Sequence, residues 1–221
     1  MIIAIIQDRW GSSRLPGKSL MEIGGKKILQ HVIDRTKRIK KVDRVVVAVS
    51  EFWKDHDIVE YCGRNSIEIF NCEYVDENNV MLRLLLCGIV YDADYILRIP
   101  ADQPFFSVEK ANEIVKYCDG KNDYIAHYIE EDHPTVADLP AGTFIEGVKL
   151  DALFNAYRWI EKFNVININE AKEHVTYCFY TWPERYKIKK LITDKPSYLL
   201  SINDFEDLER VRRLHKKGII K

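Results

Sequence analysis

The N-terminus of the chain most strongly constrains what it can fold into. Residues 1–6 form an unbroken apolar run, Met-Ile-Ile-Ala-Ile-Ile, and residues 7–18 follow as Gln-Asp-Arg-Trp-Gly-Ser-Ser-Arg-Leu-Pro-Gly-Lys. A continuous run rich in β-branched residues predicts a central strand buried on both faces of a parallel sheet. A helical pattern resumes at Lys26. Strand, loop and helix in this order are typical of a phosphate-binding turn.

The composition of the loop points to a polyphosphate. Gly11 and Gly17 let backbone N–H groups approach an anion closely, and Arg9, Arg14 and Lys18 supply positive charge. The loop matches neither the Walker pattern nor the glycine pattern of dinucleotide-binding folds. Three basic residues would also fit a solvated surface loop, but their order favours a cradle for a nucleoside triphosphate.

The order Arg-x-Gly-Ser-x-Arg-Leu-Pro-Gly-Lys after an N-terminal strand resembles the signature of the cytidylyltransferases that activate acidic sugars. The match is closest to the spore-coat polysaccharide biosynthesis protein F type, which is related to the acylneuraminate and CMP-KDO cytidylyltransferases. In that family the basic residues of this loop hold the triphosphate of CTP, and Arg9 and Lys18 inherit a catalytic role. The nucleotide-binding candidates of the loop are Arg9, Gly11, Ser12, Arg14 and Lys18. Asp8 stands where the family usually has Ala, and a carboxylate there is unfavourable unless a metal or Arg9 neutralises it.

Composition limits the other possibilities. The 221 residues suffice for one large domain, and 33 basic against 34 acidic residues give a net charge of −1. This balance argues against the basic field that nucleic-acid binding usually needs. Six apolar residues are too few for a signal peptide or a membrane span. Five scattered Cys favour reduced thiols packed in the core. We expect a cytoplasmic protein that binds neither nucleic acid nor membrane.

The alternation of strand and helix patterns predicts a three-layer α/β fold with a mostly parallel central sheet. Strands are predicted at residues 43–50, 66–70, 94–101 and 124–129, and helices at 26–39, 52–64, 76–91, 107–117, 151–162 and 169–180. The resemblance implies a Rossmann-like fold of the GT-A-like nucleotidyltransferase type. We expect a single domain over residues 1–221, with 123–185 forming the acceptor and dimerisation portion of a homodimer.

Two polar residues lie in otherwise apolar segments. Ser50 ends the second predicted strand, at the edge where open α/β sheets bind ligands, and the resemblance places it near the nucleotide base. An ordinary strand end explains it equally well. Arg83 is the one charged residue within the apolar run of the helix predicted over 76–91, so it either extends to the surface or reaches a site.

The second motif contains Asp102. Residues 94–105 read Asp-Tyr-Ile-Leu-Arg-Ile-Pro-Ala-Asp-Gln-Pro-Phe, so an apolar strand ends at one carboxylate between two prolines. In the resembling family the Asp of Arg-Ile-x-Ala-Asp-x-Pro binds the catalytic Mg²⁺ beside the α-phosphate. Asp102 is therefore a catalytic, nucleotide-binding and metal-binding candidate, and Arg98 of the same motif a substrate-binding one. Mg²⁺ usually takes one or two carboxylates plus phosphate oxygens. The alternative role for Asp102 is a turn or a helix cap.

The prediction of acceptor-binding residues rests on two weaker matches to the family. Residues 140–146 resemble a Pro-x-Gly-x-x-x-Glu element that lines the acceptor sugar in the family, which makes Glu146 a candidate. Thr143 and Phe144 stand where the family often has a further Asp. Residues 173–176 match a Glu-His-Val-Thr motif near the active site and the dimer contact, which makes Glu173 and His174 candidates. A surface or interface pair is an equally good interpretation of that motif.

The C-terminal motif departs from the family at a metal ligand. The family has a second metal-binding Asp where residues 199–203 read Leu-Leu-Ser-Ile-Asn. Asn203 offers one neutral oxygen in place of two charged ones, which lowers metal affinity, and Asp204 is an alternative ligand. A competing interpretation is a capping box in which Asn203 and Glu206 begin a helix.

The predicted function is transfer of CMP from CTP to a sugar or sugar acid, with release of pyrophosphate, in surface polysaccharide biosynthesis. Mg²⁺ is the expected cofactor. Two alternatives remain on sequence: the same reaction with another nucleoside triphosphate, and a nucleotide-binding protein that has lost catalysis. A glycosyltransferase is less consistent, because no Asp-x-Asp motif surrounds Asp102.

Overall fold

The computed structural model describes residues 1–51, 53–128, 145–163, 168–193 and 200–220. Nine strands are formed in these segments: β1 (Ile2–Gln7), β2 (Glu22–Ile23), β3 (Lys26–Lys27), β4 (Arg44–Val49), β5 (Ile69–Asn71), β6 (Tyr95–Pro100), β7 (Tyr124–Tyr128), β8 (Glu146–Lys149) and β9 (Ile188–Ile192). The same segments contain the α-helices α1 (Ile28–Thr36), α2 (His56–Arg64), α3 (Val80–Val90), α4 (Val108–Val115), α5 (Leu150–Phe163), α6 (Ile168–Glu173), α7 (Tyr177–Thr181) and α8 (Phe205–Lys216).

Seven strands form the central sheet, in the order β5-β4-β1-β6-β8-β7-β9. The pairs of β1 with β4 and β6, of β4 with β5, and of β7 with β9 are parallel, whereas β8 runs antiparallel to both β6 and β7. The predicted α/β fold with a mostly parallel sheet is therefore confirmed.

The apolar N-terminal run is the central strand of a three-layer core. Ile3 and Ile5 point to the face covered by α3 and α5, while Ala4 and Ile6 point to the face covered by α1, α2 and α4. Because successive side chains of a strand alternate between faces, a strand covered on both sides needs apolar residues at every position. This is why the run shows no alternation.

The register of the sheet places the two principal motifs side by side. Gln7, the last residue of β1, pairs with Pro100, the last residue of β6. The loop after β1 and the turn containing Asp102 therefore leave the same edge of the sheet. Ligands of open α/β folds bind at this carboxyl edge.

Two local predictions were wrong. The helix predicted over 169–180 is two helices, α6 and α7, because the chain turns after His174. The N–H of Tyr177 donates to the carbonyl of His174 at 2.7 Å, and the hydroxyl of Thr176 donates to Glu146. The cap of α8 is Asp204, whose side chain accepts from the N–H of Asp207, so it lies one residue later than predicted.

Other expectations can be compared only where the chain is described. Ile129, the 140–144 part of the Pro-x-Gly element and Leu199 fall outside the described residues. All five cysteines are free, and four of them are buried, as the composition predicted. No helix in the described segments has the length and apolar character to cross a bilayer.

Candidate active site

A cavity of about 390 Å³ opens at the carboxyl ends of β1 and β6. It brings together most of the residues that the motifs predicted. Those that line it are Arg9, Ser12, Arg14, Lys18, Arg98, Asp102, Glu173, His174 and Asn203. Gln7, Asp8 and Arg83 line it as well. The N-terminal loop, the end of β6 and the C-terminal half of the chain thus share one site.

The loop after β1, residues 8–18, is closed on itself at Trp10. The carbonyl of Trp10 accepts from the N–H of Ser12 at 2.8 Å and from that of Gly17 at 3.0 Å. Gly17 has a φ of 66°, and a Cβ there would lie 2.6 Å from the Trp10 ring. Only glycine meets both demands, which explains this position of the motif. The closed loop holds its basic residues around the cavity.

Lys18 links the loop to the second motif. Its Nζ lies 2.7 Å from Oδ2 of Asp102 and 2.8 Å from the carbonyl oxygen of Ile202. Asp102 therefore faces the cavity, and the alternative of a cap for α4 does not hold, because that cap is Ser107. Lys18 and Asp102 together place one cation and one anion where a metal–phosphate complex would need both.

The two arginines of the loop contact residues far along the chain. The guanidinium of Arg9 donates to Oδ1 of Asn78 at 2.9 Å and lies 3.6 Å from Oε1 of Glu173. Arg14 donates to Oδ1 of Asn203 at 3.3 Å. The loop is thus in contact with the start of α3, the end of α6 and the segment before α8.

Arg98 and Glu146 form a pair, but only Arg98 lines the cavity. Nε of Arg98 donates to Gln7 at 2.8 Å, and its Nη1 donates to Glu146. The buried carboxylate of Glu146 also accepts from the hydroxyls of Tyr124 and Thr176. With three donors around it, Glu146 orients Arg98 from behind the cavity wall.

Arg83 reaches the site and does not extend to the surface. Its side chain lines the cavity although the residue is 2% exposed, and Nε and Nη1 have no hydrogen-bond partner among the described residues. Burial lowers the pKa of Arg83, and the carboxylate of Asp55 opposes that shift. Buried donors without a partner are costly, so these atoms are suited to an acceptor on a ligand. The sequence signal was a single charge in an apolar helix.

Asp8 lies at the base of the same cavity. It is 5% exposed, its Oδ1 accepts from the N–H of Arg9 at 2.8 Å, and Oδ2 has no partner among the described residues. Burial raises the pKa of Asp8 to about 7, and the nearby carboxylate of Asp55 adds to the shift. Asp8 is therefore much easier to protonate than an ordinary carboxylate, which reduces its conflict with a bound anion.

Ser50 does not line the cavity. It is buried, and both its N–H and its hydroxyl donate to Oδ2 of Asp55, at 2.8 and 2.7 Å. Its hydroxyl and its N–H thus both serve a contact with Asp55, and its place near the base stays a prediction. Gly11, within the loop, also lies outside the cavity lining.

Of the three residues that the motifs predicted as metal ligands, Asp102 and Asn203 share the cavity. Asp204 is not brought into it, because its carboxylate caps α8. The described residues contain no cluster of three or more His, Cys, Asp or Glu side chains that could hold a metal alone. One carboxylate and one amide oxygen fit Mg²⁺, which completes its shell with phosphate oxygens and water.

Comparison with known proteins agrees with this geometry. A family model described as cytidylyltransferase matches residues 3–140. The chain belongs to the cytidylyltransferase family. It is therefore a nucleotidyltransferase, and the reaction of its family is transfer of a cytidylyl group from CTP.

Two of the relatives below match nearly the whole chain, and the third matches about half of it. An uncharacterised protein of Methanocaldococcus jannaschii is 31% identical over 97% of this chain and 83% of its own length. The spore coat polysaccharide biosynthesis protein SpsF of Bacillus subtilis is 26% identical over 98% of this chain and 87% of its own. A 3-deoxy-manno-octulosonate cytidylyltransferase of Trichlorobacter lovleyi is 31% identical over 52% of this chain and 44% of its own.

A solved cytidylyltransferase of Leptospira borgpetersenii has the same fold, with a TM-score of 0.81 at 23% identity over 98% of this chain and 87% of that one. The cytidylyltransferase match itself covers the loop and Asp102 but ends before Glu146, Glu173 and Asn203. The C-terminal part of the site therefore depends on the cavity geometry.

Proposed function

We propose that this cytidylyltransferase transfers CMP from CTP to a sugar or sugar acid that serves surface polysaccharide biosynthesis, and releases pyrophosphate. The observation that carries the proposal is the contact between Lys18 and Asp102, which joins the basic loop to the carboxylate at the end of β6 within one cavity. A triphosphate and a divalent cation need these two charges next to each other.

Three residues of the loop bind the triphosphate. Arg9, Arg14 and Lys18 line the same cavity, and each contacts a neutral or anionic oxygen of the protein. Phosphate oxygens replace these acceptors, and charge-assisted hydrogen bonds to phosphate are the stronger ones. Arg83 supplies the buried donors for the base or for a phosphate oxygen.

Asp102 and Asn203 hold Mg²⁺. A bound ion would supply neutralisation of the charge on the reacting phosphate. Lys18, whose ammonium contacts Asp102, would supply a positive charge to the phosphate oxygens of the leaving pyrophosphate. The residues of the chain act mainly by positioning and by neutralising charge.

The acceptor enters beside Arg98, Glu173 and His174. An acceptor hydroxyl forms a bond to the α-phosphorus of CTP, the bond from that phosphorus to the bridging oxygen breaks, and the hydroxyl proton leaves to solvent. Arg98 is held by Gln7 and Glu146, so its guanidinium has a fixed direction for an anionic group. The names of the sugar-related relatives support a carbohydrate acceptor.

We also propose that residues 1–221 act as one cytoplasmic domain that forms a homodimer through its 123–185 portion. The large apolar side chains of Phe154 and Phe163 on α5 are exposed within this portion. Large apolar side chains left exposed are candidates for a contact with a second copy of the chain. Sedimentation equilibrium of the wild type and of Phe154→Ser tests this point.

Thermal unfolding with Mg²⁺ and each of CTP, UTP, ATP and GTP tests the choice of nucleotide. Ligand at one hundred times its dissociation constant stabilises a protein by about 2.7 kcal/mol, which is roughly 5–10 °C for a chain of this size. We expect the shift with CTP alone. Equal shifts with the other nucleotides would transfer the proposal to a different donor.

Pyrophosphate release over a panel of sugar acids and neutral sugars then tests the transfer. Asp102→Asn abolishes it by removing the metal carboxylate. The matched control is Asp34→Asn, since Asp34 also accepts from a lysine, Lys26, at 2.7 Å but lies outside the cavity. Transfer by Asp102→Asn at the rate of the control would exclude the metal role of Asp102.

A further inference from the structure

A buried carboxylate behind the cavity has an unusual set of partners. Asp55 is 0% exposed and lies at the N-cap position of α2, yet its side chain forms no hydrogen bond to its own helix. An Asp at this position normally accepts from an N–H of the first helical turn. Here Oδ1 accepts from the N–H of Trp10 at 2.6 Å, and Oδ2 accepts the two hydrogen bonds from Ser50.

These bonds join two segments, the loop after β1 and the connection between β4 and α2. Ser50 follows β4, Trp10 follows β1, and Asp55 precedes α2. The carboxylate thus fixes the position of the loop after β1 relative to the neighbouring strand. Charge-assisted bonds in a buried setting are shorter and stronger than neutral ones.

Trp10 is the residue at which the loop closes. Its carbonyl accepts from Ser12 and Gly17, and its ring packs against Gly17. Arg14 lies within the closed segment, and Lys18 follows it directly. A constraint on the backbone of Trp10 therefore reaches the basic residues that surround the cavity, although Asp55 itself is not among the residues that line it.

We propose that Asp55 is a positioning residue that holds the loop in its nucleotide-binding conformation from behind, without touching the nucleotide. This inference rests on the proposed role of the loop in binding the triphosphate. Pre-organised donors bind and stabilise charge without having to be ordered first. Loss of the contact is therefore expected to weaken affinity for polyphosphate much more than it weakens the fold.

The test uses inorganic tripolyphosphate and CTP as separate probes, measured by calorimetry in the presence of Mg²⁺. Asp55→Asn keeps the shape of the side chain but replaces one acceptor oxygen with a donor, which opposes either Trp10 or Ser50. We expect the dissociation constants of both probes to rise about tenfold or more. In addition, the KM for CTP should rise much more than the KM for the acceptor.

The matched control is Thr36→Val. Thr36 is fully buried on α1, its hydroxyl donates to the carbonyl of Val32 at 2.7 Å, and it lies away from the cavity. Thr36→Val removes a buried hydrogen bond without altering the loop, so the dissociation constants of both probes should stay within about twofold of the wild type. Wild-type affinity in Asp55→Asn, or an equal loss in Thr36→Val, would overturn the proposal.

Hydrogen exchange of the wild type gives a second test that does not depend on a variant folding. If Asp55 fixes the loop, the Trp10 amide of the ligand-free protein exchanges about 100-fold or more slowly than an unprotected amide. Fast exchange at Trp10 would refute the inference. This measurement also separates the two proposals, because a protected Trp10 amide with no binding of either probe would count against the proposed function and not against the role of Asp55.

Discussion

Asp8 should make the stability of the protein decrease as pH rises from about 4 to about 7. Its folded-state pKa is about 7 against a reference value of 3.8, because the side chain is buried. A raised pKa means that the folded protein retains a proton which the unfolded chain has already released. The folded state therefore loses stability as pH rises from about 4 to about 7, and the loss is complete above that range.

The size of the effect follows from the shift. A difference of about 3 pKa units at about 1.36 kcal/mol per unit gives an upper limit of about 4 kcal/mol. Asp8→Asn removes the ionisable group but keeps an oxygen that can accept from the N–H of Arg9. The stability of the variant relative to the wild type should therefore increase between pH 4.5 and pH 8, by up to that amount.

Urea unfolding of the two proteins at several pH values measures this difference directly. Asp57→Asn is the control, because it makes the same chemical change at an exposed carboxylate in the first turn of α2. A stability difference for Asp8→Asn that does not depend on pH would refute the reasoning. So would a variant less stable than the wild type at pH 8. The same substitution should also lower the KM for CTP above pH 7, because it removes a buried negative charge beside the triphosphate.

Three further substitutions separate binding from stability. Arg83→Met should raise the thermal stability of the ligand-free protein, because it replaces buried donors that have no partner among the described residues. It should also weaken CTP binding by tenfold or more, and thermal unfolding and calorimetry measure the two effects. Asp204→Ala should lower the free energy of unfolding by about 1 kcal/mol, because it removes the cap of α8, and should leave pyrophosphate release at saturating Mg²⁺ unchanged. A large loss of activity would instead support Asp204 as a metal ligand. Asn203→Asp should lower the Mg²⁺ concentration needed for half-maximal activity, since it adds a charged oxygen to the site, and no change would exclude Asn203 from the metal shell.

The sequence predicted the features that depend on local chemistry. The apolar N-terminal run, the glycine and basic residues of the loop, and Asp102 at the end of a strand each carry their information within a few residues. Gly17 is an example: its positive φ and its contact with Trp10 both lie within the loop. Such features can be recognised before the fold is known.

Asp55 could not be found in the same way. It lies within the helix predicted over residues 52–64, where nothing local marks it as buried. Its contact with Trp10 arises because β4 is adjacent to β1 in the sheet. Glu146 shows the complementary difficulty. Its motif indicated a residue at the acceptor side, but its three partners, Arg98, Tyr124 and Thr176, come from distant parts of the chain and occupy its carboxylate.

The local sequence pattern does not decide between two adjacent residues as the N-cap of α8. Asn203 and Asp204 are both good N-cap residues, and each has an acidic residue three positions later. The apolar face of α8 is compatible with either start. The structure selects Asp204, which leaves the side chain of Asn203 free of the helix and able to accept from Arg14 in the cavity. A shift of one residue therefore decides which side chain serves the fold and which faces the ligand.

The ligand-free contacts of the cations indicate where the binding energy arises. Lys18, Arg14 and Arg9 already contact Asp102, Asn203 and Glu173, so a triphosphate must exchange these contacts, and the net gain is smaller than the number of new bonds suggests. Arg83 differs, because two of its buried donors have no partner among the described residues. Burying these donors on folding has already removed them from water, so a hydrogen bond to a ligand acceptor is formed without a further loss of hydration. Arg83 should therefore contribute more to affinity than any single residue of the loop, although the loop carries most of the positive charge.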